Sequence, residues 1–278
     1  MTLEPGLYVA ATPIGNLKDV TYRVIEALMA ADRILCEDTR QTAKLCAAYA
    51  IKTPRAAYNE HNADKAQPEI IRALEAGAAI CLVSDAGTPL ISDPGYRLVR
   101  AARDAGVKVI PLPGPSAAIT ALSASGAPTE KFLFAGFPPP KAEARRAFFK
   151  TLAACEATLV FHEGPSRLGD SLAAMAEAFG DRRAVVAREL TKLHEEFDEG
   201  TLLSLTAKYS AAAPKGEIVV LVYPPVAAPE ATPADIDSFL AAALASMSVK
   251  DAAAAAADAL GVSKKDAYAR ALALKGGK

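Results

Sequence analysis

Short apolar runs alternate with amphipathic stretches along most of the chain, and this alternation constrains the fold more than any other feature of the sequence. Strands that alternate with helices predict parallel or mixed sheets covered by helices, which is an α/β fold. The run Ile218–Val222 has no polar face, which indicates a strand at the centre of a sheet. The predicted strands are residues 7–11, 34–36, 80–84, 108–112, 132–135, 158–162, 184–188 and 217–223. The predicted helices are residues 21–31, 40–49, 66–76, 96–105, 116–125, 142–153 and 166–179.

Proline-rich segments divide this pattern into parts. Residues 111–116 contain three prolines and a glycine, and they separate a first cycle of strands and helices from a second one. We therefore predict an amino-terminal α/β domain over residues 1–112 and a second α/β domain over residues 113–225. The segment 224–233 has four prolines in ten residues and predicts a semi-rigid linker over residues 226–233.

The last part of the chain, residues 234–278, has the pattern of a small helical unit. Helices are predicted over residues 236–245, 249–259 and 263–274, with a turn at Gly261, in an order similar to a helix-turn-helix. From Val249 onward the sequence holds six basic and three acidic residues, although the net charge of the whole chain is −1. Two interpretations are open: a solvated helical hairpin, or a module that contacts nucleic acid.

The cysteines and the amino terminus indicate an intracellular protein. The four cysteines, at positions 36, 46, 81 and 155, lie in apolar runs without a Cys-x-x-Cys pair, which is typical of buried thiols in a reducing compartment. The first residues lack the features of a signal peptide, and no window has the roughly eighteen apolar residues of a membrane span. The three histidines show no metal-ligand spacing. We therefore expect a cytoplasmic protein without a membrane segment or a bound metal.

Three loops that follow predicted strands carry the residues best suited to bind a ligand: 11–16, 84–95 and 113–116. Loops at the carboxyl ends of strands are the usual ligand sites of α/β sheets. The first loop holds only Gly15, so it lacks the Gly-x-Gly-x-x-Gly pattern of dinucleotide sites. The second contains two Asp, two Gly and two Pro, which fix an unusual backbone. Its ordinary interpretation is a turn in which Asp93 is the N-cap of the next helix.

These loops and several other segments together resemble one known family. The segments are LYVAATPIGNLKDV (7–20), CEDTR (36–40), YNEHN (58–62), VSDAGTPLISDPG (83–95) and PLPGPSA (111–117). Their sequences and their order resemble the tetrapyrrole methylase superfamily. Together with FHEGPSR (161–167), RELTK (188–192) and the helical appendage, they are similar to its branch of ribosomal RNA small subunit methyltransferases I, over essentially the whole chain.

The resemblance implies two α/β domains of tetrapyrrole methylase type, with S-adenosylmethionine in the cleft between them. It implies 2′-O-methylation of a cytidine ribose in 16S ribosomal RNA, at the decoding centre of the 30S subunit, by a homodimer. Relatives that act on porphyrins carry Gly-Asp-Pro where this chain has Gly87-Thr-Pro89, so a carboxylate there would have to come from Asp85 or Asp93. The family's cofactor contacts fall on residues of the three loops and of the second domain: Pro13, Gly15, Asp85, Ala86, Gly87, Thr88, Ile91, Ser116, Ala117, His162, Leu190 and Gly216.

A ribose hydroxyl becomes a good nucleophile only when it loses its proton, so methyl transfer benefits from a general base near the methyl group. The segment Glu37-Asp-Thr-Arg40 places two carboxylates and an arginine after an apolar strand. One hypothesis is that Asp38 assists the hydroxyl while Arg40 binds a phosphate; the alternative is an ordinary ion pair with Thr39 as a helix cap. A lone histidine such as His61 is more often structural, but the resemblance favours a place at the substrate cleft.

Two other functions are compatible with the same residues. One is methylation of a small tetrapyrrole-like molecule, although such a substrate does not need the basic helical appendage. The other is a non-catalytic RNA-binding factor for ribosome assembly, although no loop has lost its motif. The charge run of Glu189, Lys192, Glu195 and Glu196 likewise has two interpretations, a solvated strand edge or part of a substrate site.

Overall fold

The computed structural model describes residues 2–226 and 231–276. The chain forms two compact units, Met1–Pro225 and Val226–Lys278. Residues 227–230 of the predicted linker and the last two residues of the predicted appendage lie outside the described residues. Within the described ranges, no helix is both long and apolar enough to cross a membrane.

The first unit contains two five-stranded sheets, of which the first is entirely parallel. Every residue of its strand Ala79–Val83 is buried, because apolar clusters cover both faces of the sheet. The strands are β1 (Gly6–Ala10), β2 (Arg33–Cys36), β3 (Arg55–Ala57), β4 (Ala79–Val83) and β5 (Val109–Leu112), in the order β3-β2-β4-β1-β5. The helices that connect them are α1 (Tyr22–Ala30), α2 (Thr39–Ala48), α3 (Ala63–Glu75) and α4 (Tyr96–Asp104).

The strand order brings five loops side by side at the carboxyl edge of the first sheet. In a parallel sheet all strands end at the same edge, so the loops follow the order of the strands. From β3 to β5, these loops are residues 58–62, 37–38, 84–95, 11–16 and 113–116. The three loops selected from the sequence are therefore direct neighbours, and the two segments with the candidate catalytic residues lie beside them.

The second sheet is mixed: only its first pair of strands is parallel. The predicted central strand, Ile218–Val222, is confirmed, since it lies in the middle of this sheet and is fully buried. The strands are β6 (Phe132–Phe134), β7 (Thr158–Glu163), β8 (Arg183–Arg188), β9 (Glu196–Thr201) and β10 (Ile218–Val222), in the order β6-β7-β10-β8-β9. The helices of this part are α5 (Ala117–Ala124), α6 (Ala142–Leu152), α7 (Leu168–Phe179) and α8 (Leu202–Ala211).

Both faces of the second sheet are packed. On one face, Phe149 of α6 and Met175 of α7 belong to an apolar cluster that also includes residues of α8. On the other face, Leu122 of α5 and Ile14 pack against Val160 and its neighbours. Ile14 belongs to the loop after β1, so a loop of the first sheet is anchored in the core of the second. This contact fixes the loops of the first sheet against the second sheet.

Some features differ from the sequence predictions. The pattern does not predict β3, β9 or α8: β3 is a three-residue edge strand, and β9 is a polar strand at the other sheet's edge. Short or polar edge strands lack the apolar run by which a strand is recognised. Glu196 of the charge run is the first residue of β9. All four cysteines are free, and Cys155 is half-buried rather than buried.

The second unit consists of α9 (Pro233–Ala243), α10 (Val249–Leu260) and α11 (Lys264–Gly276). Leu240, Ala256 and Ala271 lie in its small apolar core. The turn before α11 contains Gly261 at a φ of +67°, a left-handed conformation that glycine adopts without strain. Arg270 is ion-paired with Asp237 at 2.7 Å, which offsets part of the positive charge of the terminal segment. The whole predicted appendage, residues 234–278, contains six basic and five acidic residues.

Candidate functional site

The three loops at the carboxyl edge of the first sheet are joined by hydrogen bonds. The Thr12 amide donates to the Gly87 carbonyl at 2.8 Å, and the Gly87 amide donates to the Thr12 carbonyl at 3.0 Å. The Thr88 hydroxyl donates to the Pro115 carbonyl at 3.1 Å, which connects the second loop to the third. Thr88 therefore links two loops, and it stands at the position where the resemblance implies a carboxylate in relatives that act on porphyrins. The loops form one preorganised surface rather than three separate turns.

The second loop holds an unusual backbone, as its composition predicts. Gly87 and Gly95 have φ angles of +83° and +128°, and Leu90 and Ser92 have φ angles of +73° and +67°. A left-handed conformation costs a residue with a Cβ about 1 to 2 kcal/mol. Two such residues in one short loop indicate that the surrounding contacts impose its shape, a pattern that is common at ligand sites.

A cavity of about 410 Å³ lies between these loops and the edge of the second sheet; we call it the central cavity. Its volume is within the usual range of small-molecule sites, about 300 to 1,000 Å³. All predicted cofactor residues except Pro13 and Gly15 line it. The lining from the first sheet comprises Ile14, Asp85, Ala86, Gly87, Thr88, Ile91, Ser92, Asp93, Ser116 and Ala117. The lining from the second part comprises Phe137, His162, Glu163, Gly164, Pro165, Leu190, Gly216, Glu217, Ile218 and Val219.

The lining of the central cavity fits S-adenosylmethionine, which has two positive charges against one carboxylate. Asp85, Asp93, Glu163 and Glu217 are acidic, and no lysine or arginine of the described part of the chain lines the cavity. Ser116 begins α5 without a capping hydrogen bond from its side chain, so the first amides of this helix are available to a carboxylate. The cavity thus offers opposite charge to each end of the cofactor's amino-acid part and to its sulfonium.

An aromatic wall on the second-sheet side suits the cofactor's adenine. The ring centroid of His162 is 5.0 Å from that of Phe134 and 5.2 Å from that of Phe137. Burial lowers the pKa of His162, partly opposed by Glu217, so the imidazole is neutral near pH 7. Next to it, the buried Glu163 carboxylate accepts hydrogen bonds from Ser171 and from the Gly164 amide, which holds the end of β7 in place. A neutral, fixed ring of this kind is a stacking surface.

Pro13 and Gly15 lie in a neighbouring cavity of about 380 Å³, which we call the lysine cavity. A Cβ on Gly15 would lie only 2.6 Å from Cγ of Lys192, so glycine is needed for this approach. The Lys192 ammonium lies 2.8 Å from Glu189 and 3.2 Å from Glu217. Glu189 and Lys192 of the charge run therefore form an ion-pair cluster with Glu217 beside the lysine cavity, and the sequence pattern does not predict this placement. The two cavities share Ile14, Asp85, Ala86 and Glu217.

His61 lies in a third cavity of about 520 Å³, which we call the acidic cavity. Its lining comprises Glu37, Asn59, Glu60, His61, Ser92, Asp93 and Pro94. Burial raises the pKa of Glu37, and the nearby carboxylates of Asp85, Glu60 and Asp38 raise it further. Burial likewise raises the pKa of Asp93 to about 6, with Glu37 as the next cause. Glu37, Glu60 and Asp93 come from three loops that are far apart in the sequence, so the sequence pattern does not predict their proximity.

Asp38 and Arg40 line none of these three cavities. Asp38 is the N-cap of α2, since its carboxylate accepts a hydrogen bond from the Arg40 amide at 2.8 Å; the cap is not Thr39. The Arg40 guanidinium binds the same carboxylate at 2.7 Å, and this contact lowers the pKa of Asp38 to about 2. A carboxylate that is so weakly basic is poorly suited to take a proton near pH 7. The Asp38 amide donates to Asp85 at 3.1 Å, which ties this helix start to the second loop.

Comparisons with known proteins agree with this architecture. The family model of Tetrapyrrole (Corrin/Porphyrin) Methylases matches residues 6–206, and the model of the RsmI C-terminal HTH domain matches residues 230–275. A ribosomal RNA small subunit methyltransferase I of Mesorhizobium japonicum is 52% identical over 275 residues, covering 98% of this chain and 93% of the relative. The protein of the same name from Escherichia coli O157:H7 is 45% identical, covering 97% and 96%.

Solved structures with low sequence identity show the same fold. A uroporphyrin-III-C-methyltransferase from Thermus thermophilus has a TM-score of 0.57 at 19% identity, covering 78% of this chain and 94% of that one. A cobalt precorrin-4 methyltransferase has a TM-score of 0.59 at 16% identity, with the same coverage of both chains. The predicted fold class, two α/β domains of tetrapyrrole methylase type with a carboxyl-terminal helical module, is confirmed.

Proposed function

The chain belongs to the ribosomal RNA small subunit methyltransferase I family of the tetrapyrrole methylases and is a methyltransferase, and we propose that it methylates the ribose 2′-oxygen of a cytidine in 16S ribosomal RNA. We propose S-adenosylmethionine as the methyl donor. The relatives' names and the near-complete coverage of both chains support the RNA substrate. The alternative function, methylation of a small tetrapyrrole-like molecule, is not favoured, because the chain carries the helical module of this family.

The observation that carries the proposal is the central cavity. It joins hydrogen-bonded loops of the first sheet to the neutral aromatic wall around His162, and its charged lining is acidic only. When bound, S-adenosylmethionine supplies an electrophilic methyl group on a positively charged sulfur. The remaining task of the protein is to hold donor and acceptor in line and to exclude water. The cavity's small residues, such as Ala86, Gly87 and Gly216, let the backbone come close to such a ligand.

We assign the cofactor's parts to different sides of the cavity. The first amides of α5, at Ser116 and Ala117, bind the carboxylate. His162 stacks on the adenine, and Asp85 lies where it can neutralise a positive group. Pro13 and Gly15 line the lysine cavity, where the missing side chain of Gly15 leaves room for Lys192.

The proposed substrate residues lie outside the central cavity. The side chain of Arg40 is 87% exposed at the start of α2, and its charge suits a phosphate of the RNA. Asp38 orients this guanidinium and caps the helix. His61 contacts the substrate from the acidic cavity.

The second unit supplies a surface for RNA. Lys264, Lys265 and Lys275 are exposed on α11, together with the partly exposed ring of Tyr268. In helix-turn-helix modules the second helix of the pair contacts nucleic acid, and α11 has this position after the turn at Gly261. Exposed lysines around an aromatic ring suit a backbone phosphate and an adjacent base.

The intact 30S subunit is the proposed substrate, because a large ribonucleoprotein surface uses both units of the chain. Ribosomal subunits mature in the cytoplasm, so we place the enzyme there. We also propose a homodimer, which would present two helical units to one particle. Displacement at a sulfonium disperses positive charge, so the reaction as we propose it uses no metal.

Two measurements test the proposed function. Isothermal titration should show S-adenosylmethionine binding at one site per chain. Incubation with unmethylated 30S subunits should then add one ribose methyl group to a cytidine, which mass-spectrometric mapping of the 16S RNA can locate. Cofactor binding without any methyl group in the RNA would contradict the substrate, and the absence of cofactor binding would contradict the enzyme.

A further inference from the structure

The wall between the central cavity and the acidic cavity is formed by two residues, Ser92 and Asp93, which line both. We propose that Asp93 is the general base that removes the proton from the ribose hydroxyl, with the ribose held in the acidic cavity. This inference rests on the proposed function. It assigns the proton-accepting role to a residue outside the motif Glu37-Asp-Thr-Arg40, where the sequence hypothesis places it.

The backbone leaves the Asp93 carboxylate free for this role. The sequence suggests that Asp93 caps the following helix, but Gly95 occupies the N-cap position of α4 without a side-chain hydrogen bond. Among the ion pairs of the described residues, none involves Asp93. Ser92, in the left-handed region at a φ of +67°, turns the chain immediately before Asp93. A strained turn that places a carboxylate without an ion pair at the boundary of two cavities is typical of a functional position.

Charge around Asp93 comes from several elements and is mostly negative. Glu37 follows β2, Asp85 lies in the same loop, and Glu60 and His61 follow β3. From the second sheet, the central cavity adds three groups: His162, Glu163 and Glu217. Glu163 is ion-paired with Arg167 at 3.0 Å and Glu217 with Lys192 at 3.2 Å. Within residues 2–226 and 231–276, no lysine or arginine lines either cavity. Burial, then Glu37 and Asp85, raise the pKa of Asp93 to about 6, while a hydrogen bond with Ser84 partly lowers it.

This environment suits proton transfer better than that of the other candidates. A general base is most effective when its pKa lies near the working pH, so that it is ionised yet still basic. The pKa of Asp38 is lowered to about 2 by Arg40, and this residue lines neither cavity. His61 lines the acidic cavity alone, without access to the central one. Asp93 is the titratable side chain that borders both the donor and the acceptor.

The ribose oxygen forms a bond to the methyl carbon while the bond from that carbon to sulfur breaks, and the electron pair of the broken bond goes to sulfur. The hydroxyl proton passes to the ionised Asp93 carboxylate. The neutral carboxyl group then releases the proton to water through the open acidic cavity, and both products leave.

The experiment compares full-length wild type with Asp93→Asn and with Asp104→Asn, an exposed aspartate at the end of α4 that serves as a matched control. Single-turnover methylation of 30S subunits is measured at pH 7.5 and as a function of pH. Asp93→Asn should slow methyl transfer about 100- to 10,000-fold, the usual contribution of a general base. The rate loss should persist at saturating S-adenosylmethionine, and Asp104→Asn should match the wild type both in rate and in the dissociation constant of the cofactor.

Two further readouts separate this role from a structural one. The wild-type rate should rise with pH and level off above about 6, a dependence that Asp93→Asn should lose. Because folding raises the pKa of Asp93 from 3.8 to about 6, the folded protein holds this proton more tightly, and stability declines as pH rises through that window. The uncharged asparagine avoids that decline, so Asp93→Asn should melt no lower than the wild type at pH 7.5.

Three results would overturn the inference. One is methylation by Asp93→Asn at the wild-type rate. Another is a wild-type rate that does not change between about pH 5 and 7. The third is a rate loss that disappears at saturating cofactor, which would make Asp93 a binding residue. Methylation by the wild type in the same experiment tests the proposed function separately, so the two failures give different results.

Discussion

Gly87 allows a direct test of the central cavity, because its substitution by alanine adds one methyl group to the lining. Gly87 is buried, has a φ of +83°, and lines the cavity. A Cβ at this position would lie 3.4 Å from Cγ2 of Ile14, another lining residue, and 3.8 Å from the Pro115 carbonyl oxygen. Gly106 provides a matched control: its φ is +72°, it is exposed, and a Cβ there would have no neighbour within 4 Å.

The two substitutions should have similar effects on stability. A left-handed alanine costs about 1 to 2 kcal/mol relative to glycine. Alanine also lowers the conformational entropy of the unfolded chain, which offsets about 0.4 to 1 kcal/mol of the loss in folding stability. The net loss of about 1 kcal/mol corresponds to a fall in Tm of roughly 2 to 4 °C for a unit of this size. The new Cβ at position 87 would make an ordinary van der Waals contact with Ile14 at 3.4 Å, so we expect no further loss from a clash.

Only Gly87→Ala should weaken cofactor binding. An extra methyl group in a well-packed site costs about 1 to 3 kcal/mol. By titration calorimetry, the dissociation constant of S-adenosylmethionine should therefore rise about 5- to 150-fold. Gly106→Ala should keep the wild-type value. Unchanged cofactor affinity in a folded Gly87→Ala protein would refute the assignment of the central cavity, whereas equal weakening in both variants would show that only global stability is being measured.

Two further predictions concern the aromatic wall and the second unit. His162→Ala should raise the dissociation constant of the cofactor about 2- to 10-fold, as expected for one lost aromatic contact. His162→Phe should preserve the dissociation constant, because burial keeps the imidazole neutral and a phenyl ring can stack in its place. Equal losses of affinity in both variants would exclude stacking. Replacing Lys264 and Lys265 with Glu should weaken binding to 30S subunits, while the affinity for the cofactor stays unchanged. The slope of the logarithm of the RNA-binding constant against the logarithm of the salt concentration should become shallower by about 1 per lost phosphate contact. The matched control is the same change at Lys141 and Lys150, which are exposed in the first unit; similar losses there would indicate only an effect of net charge.

The placement of the loops could be predicted from the sequence, because strand ends and loop composition are local signals. The segment 84–95 stands out by its glycines, prolines and aspartates, and the structure confirms its unusual backbone. The exact start of the following helix could not be predicted, since Asp93 and Gly95 are both acceptable N-caps by residue type. The positive φ of Gly95 decides between them, and this angle depends on packing.

Proximity across the sheet could not be predicted in the same way. The acidic cavity combines Glu37, Glu60 and Asp93 from three loops, and their adjacency follows from the strand order β3-β2-β4. Sequence reasoning instead favours neighbours along the chain, which is why it selects Asp38 with Arg40. That pair is a local ion pair at a helix start, and its contacts make the carboxylate less basic.

The distribution of charge explains how an almost neutral protein can act on RNA. Phosphates are repelled by the acidic and central cavities, since carboxylates line both and no cation does. The uncharged ribose is thus the part of a nucleotide best able to approach Asp93. The RNA backbone must be bound elsewhere, and the exposed cations at Arg40 and on α11 offer such places. A net charge of −1 is therefore compatible with RNA as the substrate, because the acidic groups of the cavities and the cations proposed to bind the polyanion lie at different places.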